Sequence, residues 1–236
     1  MLLLIPGDAY AMHISEGILP FDWALLWYAL SVPFIAYALV LIKRRSREDI
    51  SFKPLLGLIA AVVFIISAMP IPVPIAGTCS HPAGTGISAI LLGPFISMLV
   101  ASVALLMQAL FMAHGGLSTL GANVVSMGIV GSLAGYITFK TVRGMGGGLG
   151  LSGFLAGIMT DWATYAATAA ELALGIKGDG SFMAMFTKLL IAFVPTQLPL
   201  GIIEGALTSG MVLLLYRKRP DILKRMGILK KSEVAA

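Results

Sequence analysis

Charge is scarce in this chain. Only 11% of its 236 residues are Asp, Glu, Lys or Arg, while 58% are apolar. A soluble domain carries about 25% charged residues, so a water-facing surface is not what this composition builds. Cysteine occurs once, at Cys79, which excludes an intrachain disulfide framework and any multi-cysteine zinc site. No G-x-x-x-x-G-K-[ST] stretch occurs, so the chain cannot hydrolyse ATP by a P-loop mechanism. H-E-x-x-H is missing too, which removes the usual helix of zinc hydrolases. The net charge of +5 is not gathered into a groove. Its Lys and Arg residues fall in short runs at 43–53, 140–143 and 217–231, between apolar segments. That is the pattern of membrane orientation signals, and no nucleic-acid partner is expected. The tract "GMGGGLGLSG" contains a formal G-x-G-x-x-G at Gly148, Gly150 and Gly153. No strand precedes it and it opens an apolar span, so nucleotide binding is rejected.

What remains is hydrocarbon. Apolar blocks run over 22–42, 54–69, 87–113, roughly 120–140, about 149–174 and about 186–216. Crossing a bilayer as a helix takes about 20 apolar residues. All three basic clusters should lie in the cytoplasm. Treating 87–113 as one crossing would strand the basic tail outside, whereas two crossings with a turn at Gly93-Pro94 restore the parity. The expectation is an all-α integral membrane bundle of about seven crossings, with the N-terminus outside and the C-terminus cytoplasmic. A helix from about 84 to 93 is only about 15 Å long, half the hydrocarbon thickness. It crosses only if the preceding loop dips into the membrane, wrapped in protein. The stretch carrying His81 is therefore expected to be buried in the outer half of the bundle. Spacings such as Gly57 to Ala61 and Gly131 to Gly135 allow close helix contact.

Histidine is limited to His13, His81 and His114, and this topology puts all three on the outer side. Neutral imidazole suits Ni, Co, Cu or Zn. The pair Met12-His13 sharpens that. If Met12 carries a free amine, its nitrogen, the His13 amide nitrogen and the His13 imidazole form fused five- and six-membered chelate rings in one plane. His81 could close a square of four nitrogens, which suits Ni(II), low-spin Co(II) or Cu(II) and poorly suits tetrahedral Zn(II). An amide-linked Met12 has no lone pair to give, so residues 1–11 should be absent from the mature chain. Ala9-x-Ala11 fits a signal-peptidase site, although "MLLLIPGD" lacks a basic region and has a short apolar run. Translation starting at Met12 is the other route, and both expose the same amine. The domains expected are a leader or early start at 1–11, a single transmembrane metal-capture domain at 12–216 and a basic cytoplasmic tail at 217–236.

The stretches "MHISEGILP", "GTCSHPAGTG", "LLGP" and "AHGGLSTLGANVVSMGIVG" closely resemble the CbiM/NikM family, from Met12 to the last span. These are the substrate-capturing S components of energy-coupling factor importers for cobalt and nickel. The resemblance implies a mature chain beginning at Met-His, with its arm inserted into the bundle. It implies metal ligation by the Met12 amine, the His13 amide and imidazole nitrogens, and His81. It also implies a six-helix core plus one N-terminal helix, in the cell membrane. The implied partners are a CbiQ-like coupling subunit, CbiO-like ATPase subunits and a small CbiN-like membrane subunit. The leader looks like that of the cobalt-type members, hence cobalamin biosynthesis, although the same nitrogens accept Ni(II). No cofactor and no catalytic residues are expected; the ion is cargo.

Other residues have supporting roles. Ser80, His114 and Asn123 are candidates to surround the site, with His114 also a possible fourth ligand. Cys79 is expected to pack, although its thiolate would favour softer ions. Glu16 is expected to make a hydrogen bond near the arm. Asp161 and Glu204 lie in the fifth and sixth apolar blocks, where carboxylates are costly. They are either a structural pair or the proton path of a stand-alone secondary divalent-metal transporter, the rival function. An intramembrane metalloenzyme is disfavoured, because a four-nitrogen square leaves no open equatorial position for water.

Overall fold

The computed structural model describes residues 13–69, 71–73, 78–229 and 233. The proposed leader 1–11 and Met12 lie outside the described residues. The elements run α1 (Phe21–Glu48), α2 (Phe52–Ser67), β1 (Ile71–Val73), β2 (Thr78–Ser80), α3 (Thr85–Leu92) and α4 (Pro94–Phe111). Then come α5 (Leu120–Asn123), a π-helical segment (Val124–Gly131), α6 (Ser132–Gly144), α7 (Leu149–Ile176), α8 (Phe182–Lys218) and α9 (Pro220–Arg225). Among the described residues, four helical stretches are long and apolar enough to cross a membrane: Phe21–Glu48, Pro94–Phe111, Leu120–Gly144 and Phe182–Lys218. Phe52–Ser67 is a shorter apolar helix.

One departure from the helical expectation is small. The proline-studded segment after α2 carries a two-stranded antiparallel hairpin, with Ile71 opposite Ser80 and Val73 opposite Thr78. Its second strand delivers the chain to His81. The break at Gly93-Pro94 is where the sequence places it. Gly93 has φ of 85°, a conformation that favours glycine, and Pro94 occupies the first turn of α4, where its missing N–H removes no helical bond. Every residue of the short helix α3 is buried.

Helix α7 shows how a bundle in lipid differs from one in water. Its buried residues include Ser152, Gly153, Gly157, Thr160, Asp161, Thr164, Thr168 and Glu171, spaced three or four apart on one face. Leu151, Met159, Trp162 and Ile176 are exposed instead. Lipid tails are as apolar as leucine, so the interior is built from small and polar residues, with hydrogen bonds met inside the protein. The Thr160, Thr164 and Thr168 hydroxyls each donate to the carbonyl four residues earlier, at 2.9, 2.7 and 3.0 Å.

Small residues bring α7 and α8 close. A Cβ on Gly157 would stand 2.6 Å from the Glu204 carbonyl oxygen, and one on Gly153 would stand 3.2 Å from Ser209 Cα. Gly153 belongs to the tract rejected as a nucleotide motif, and its role is this contact. Gly131 and Gly135 face Thr160 and Thr164 of α7, in keeping with their four-residue spacing. Gly57 meets nothing within 4 Å, so the Gly57–Ala61 spacing does not mark a contact of Gly57 within this chain.

The basic tail does not simply leave the bundle. Helix α8 runs to Lys218, beyond the boundary expected at 216, and α9 turns back so that Leu223 and Ile228 join the core beside Phe52. Arg45 donates to the Leu92 carbonyl at 2.8 Å, and Arg143 pairs with Glu233.

Gly157→Ala should destabilise the bundle by about 1–3 kcal/mol, because α8 backbone must move aside. Gly144→Ala, which meets open space, should not. Thermal unfolding of the two variants in detergent checks the contrast.

Candidate metal centre

Residues 13–20 fold inward as an arm rather than leaving the protein. Ile14 and Leu19 are buried against Ala122, with Trp27 and Leu172 alongside. The backbone of Ile14 is held from two directions. Asn123 Oδ1 accepts the Ile14 N–H at 2.8 Å, and Asn123 Nδ2 donates to the Ile14 carbonyl at 3.1 Å. Thr119 Oγ1 donates to that same carbonyl at 2.6 Å. One amide side chain thus replaces the strand partner that a buried peptide would otherwise need. Glu16 accepts the Ser118 N–H at 3.1 Å, and hydrogen bonding from the Ser118 side chain, then from this N–H, holds its carboxyl below the usual carboxylate range.

The α4–α5 loop lies directly over the arm. A Cβ on Gly116 would stand 2.6 Å from Glu16 Cα, so the second glycine of "HGG" is what permits this approach. Ala113, immediately before His114, has φ of 49°, a costly conformation for a residue with a side chain.

Three elements deliver the three histidines to one place. His13 comes from the arm, His81 from the segment after β2, and His114 from the loop after α4. Each offers a ring nitrogen within 4.8 Å of the others. Ring centroids lie 4.7 Å apart for His13–His81, 5.0 Å for His13–His114 and 4.9 Å for His81–His114. His13 and His81 are buried and His114 half-buried. Burial, followed by the mutual repulsion of the rings, pushes the His13 pKa well below its ordinary value and that of His81 down to about 3. His114 is lowered by burial. Burial thus favours the neutral ring at all three, the form in which imidazole ligates a metal.

Hydrogen bonding fixes which nitrogen each ring presents. Ser67 donates its hydroxyl proton to the Phe64 carbonyl at 3.2 Å, and its lone pair accepts Gln108 Nε2–H at 2.8 Å. Gln108 therefore turns Oε1 toward His13, where it accepts Nε2–H at 2.9 Å. His13 is left with its lone pair on Nδ1, the ring nitrogen that closes a six-membered chelate with the His13 amide nitrogen. His81 donates Nδ1–H to the Pro82 carbonyl at 3.1 Å, which leaves the lone pair on Nε2. His114 Nε2 lies 2.9 Å from that lone pair and so acts as its donor.

Ser80, Asn123 and His114 therefore all touch the site or its mounting. Ser80 Oγ is 2.8 Å from the Tyr165 hydroxyl and accepts Gln197 Nε2–H at 3.0 Å. Asp161 and Glu204 are not at the histidine cluster but deeper in the bundle. Glu204 accepts the amides of Ala83 and Gly84, whereas neither Asp161 oxygen has a hydrogen-bond partner among the described residues. Gln108 escaped the sequence reading. Its signal was one amide in the run "LLMQALF", where an uncompensated polar group would be costly. Glu171, buried with no hydrogen-bond partner to its carboxylate among the described residues, was likewise missed.

A sequence profile described as "Cobalt uptake substrate-specific transmembrane region" matches residues 13–222. The chain belongs to the CbiM family. It is 61% identical over 227 residues to the "Cobalt transport protein CbiM" of Geobacter sulfurreducens, covering 96% of this chain and 66% of that protein. With the protein of the same name from Sorangium cellulosum it shares 57% identity over 225 residues, 95% of this chain and all of that one. The fold also resembles a crystal structure of a transition metal transporter, with a TM-score of 0.73 at 25% identity, covering 87% of this chain and 92% of that one. Family membership accords with the apolar helices of a multi-pass membrane protein.

Asn123→Ala removes both hydrogen bonds to Ile14. It should loosen the arm by about 2–3 kcal/mol, two buried bonds at typical worth. Hydrogen exchange at residues 14–17 should accelerate accordingly while that of α7 stays unchanged, and mass spectrometry reads both.

Proposed function

We propose that this chain captures Co(II), and alternatively Ni(II), from outside the cell membrane as the substrate-binding subunit of an energy-coupling factor importer. The observation that carries this reading is the inward arm that brings His13 to His81 and His114, with a ring nitrogen of each within 4.8 Å of the others. In this reading Met12 supplies its freed amine and His13 its amide nitrogen and Nδ1, while His81 supplies Nε2. The planar chelate favours Co(II), Ni(II) or Cu(II) over Zn(II). Binding releases protons from the amine and, as the ion displaces it, from the amide, so affinity rises with pH. The imidazoles, already neutral, add no such cost. His114 covers the site and yields its hydrogen bond to His81 as the ion arrives.

The chain crosses the membrane about seven times in this reading. The arm and histidines face outward, and the basic clusters at 43–53, 140–143 and 217–231 face the cytoplasm. The hydrolytic engine is supplied by CbiO-like ATPase subunits acting through a CbiQ-like coupling subunit, with a CbiN-like accessory protein. The names of the relatives favour cobalt, and cobalt uptake would serve cobalamin biosynthesis. The secondary-transporter reading gains no support from Glu204, whose two oxygens are both engaged by backbone amides.

Purified parent chain should copurify with about one Co(II) or Ni(II), whereas His13→Ala and His81→Ala should each lose about 90% of it or more, as expected when affinity falls well over tenfold. Metal analysis measures this. Full retention in both variants would end the proposal. In cells, uptake should require the co-expressed ATPase subunits; uptake driven by the proton gradient alone would favour the rival.

A further inference from the structure

The segment carrying His81 has no regular structure of its own between β2 and α3. Something else must hold the ring in place, and Glu204 of α8 does much of it. Its Oε2 accepts the Ala83 N–H at 2.5 Å and its Oε1 the Gly84 N–H at 3.0 Å. Gly84 has φ of 72° as the N-cap of α3, and no side chain of its own satisfies the first amides of that helix. A carboxylate supplied from another helix instead takes the Ala83 and Gly84 amides just ahead of the first turn, at the end of α3 where negative charge is favoured. On the other side of His81, Ser80 is tied to Tyr165 of α7 and Gln197 of α8. His81 thus sits between two anchors, both set in the α7–α8 pair. His13 is mounted independently, on Gln108 of α4 and on Asn123.

We propose that Glu204 is a positioning residue for the transported ion: by gripping the Ala83 and Gly84 amides it holds His81 Nε2 at the distance from His13 that the ion requires. The proposal rests on the reading of His81 as a ligand. Glu204 touches neither the ion nor the ring; it acts through two peptide groups. Gln at this position keeps one carbonyl acceptor but loses the second acceptor and the charge, and Ala loses both. Groups at this remove from a metal typically change its affinity by about 10- to 100-fold when altered.

The test uses the full chain in detergent with Ni(II) as the probe, read by titration and by the ligand-field absorption of the loaded protein. Glu204→Gln should bind Ni(II) about tenfold more weakly and Glu204→Ala about 100-fold, each with a shifted ligand-field band. Glu204→Gln should also lower the unfolding temperature of the metal-free chain, because a buried amide loses its acceptor, so the band is the readout that decides. A purely structural role would lower that temperature too but leave the band of the loaded protein unmoved. Parental affinity, or a parental band, in Glu204→Gln overturns the proposal. Ser80→Ala releases the other anchor and should also weaken binding and shift the band. Should the Glu204 variants fail to fold, a parental Ser80→Ala overturns it instead. His81→Ala, measured beside them, separates the two levels: parental affinity there refutes the ligand reading itself, whatever Glu204 does.

Discussion

The Ile14 peptide group, buried and bonded through both its N–H and its carbonyl to the side chain of Asn123, is the contact on which the histidine cluster depends. A polar backbone segment entering an apolar bundle is costly unless each group finds a partner. Asn123 and Thr119 supply those partners at the point where α5 passes into π-helix. Without them the Ile14 peptide would be buried with no partner for its N–H or its carbonyl. Ser126 bonds back to the Ala122 carbonyl at 3.1 Å at the start of the π-helical turn, and such turns recur at functional sites.

The cluster joins two parts of the molecule that are otherwise mounted separately. His13 hangs from α4 and α5, whereas the His81 segment hangs from α7 and α8 through Ser80 and Glu204. An ion held by both imidazoles would tie the arm to the α7–α8 pair. Those helices approach each other closely through Gly153, Gly157 and Gly205. Occupancy would therefore register as a change in how firmly the arm is fixed to that pair.

Much of this was legible in the sequence, and the reason is the bilayer. A solvent that rejects unpaired backbone polar groups leaves long apolar runs, and the existence of α1, α4 and α8 follows from them, although α1 runs on to Glu48 past the apolar block's end at 42 and α8 begins at Phe182 rather than about 186. The Gly93-Pro94 break followed from the parity of the basic clusters, and the burial of His81 from length, because a helix too short to span must be met by a re-entrant segment. The hairpin between β1 and β2 was not legible, since three-residue strands among prolines leave no periodicity. Nor was the π-helical stretch, whose residues pattern like any apolar helix. Gln108 and Glu204 read as isolated polar letters in hydrocarbon. Their partners lie 95 and 121 residues away, a relation that a local pattern does not carry.

The central claim is that nitrogen from the arm meets nitrogen from the His81 segment around one ion. X-ray absorption at the metal edge of the Co(II)-loaded chain tests it most directly. The account predicts a first shell of nitrogens that includes two imidazole scattering patterns, with no sulfur. A shell containing thiolate sulfur, or one made of oxygen alone, would contradict it.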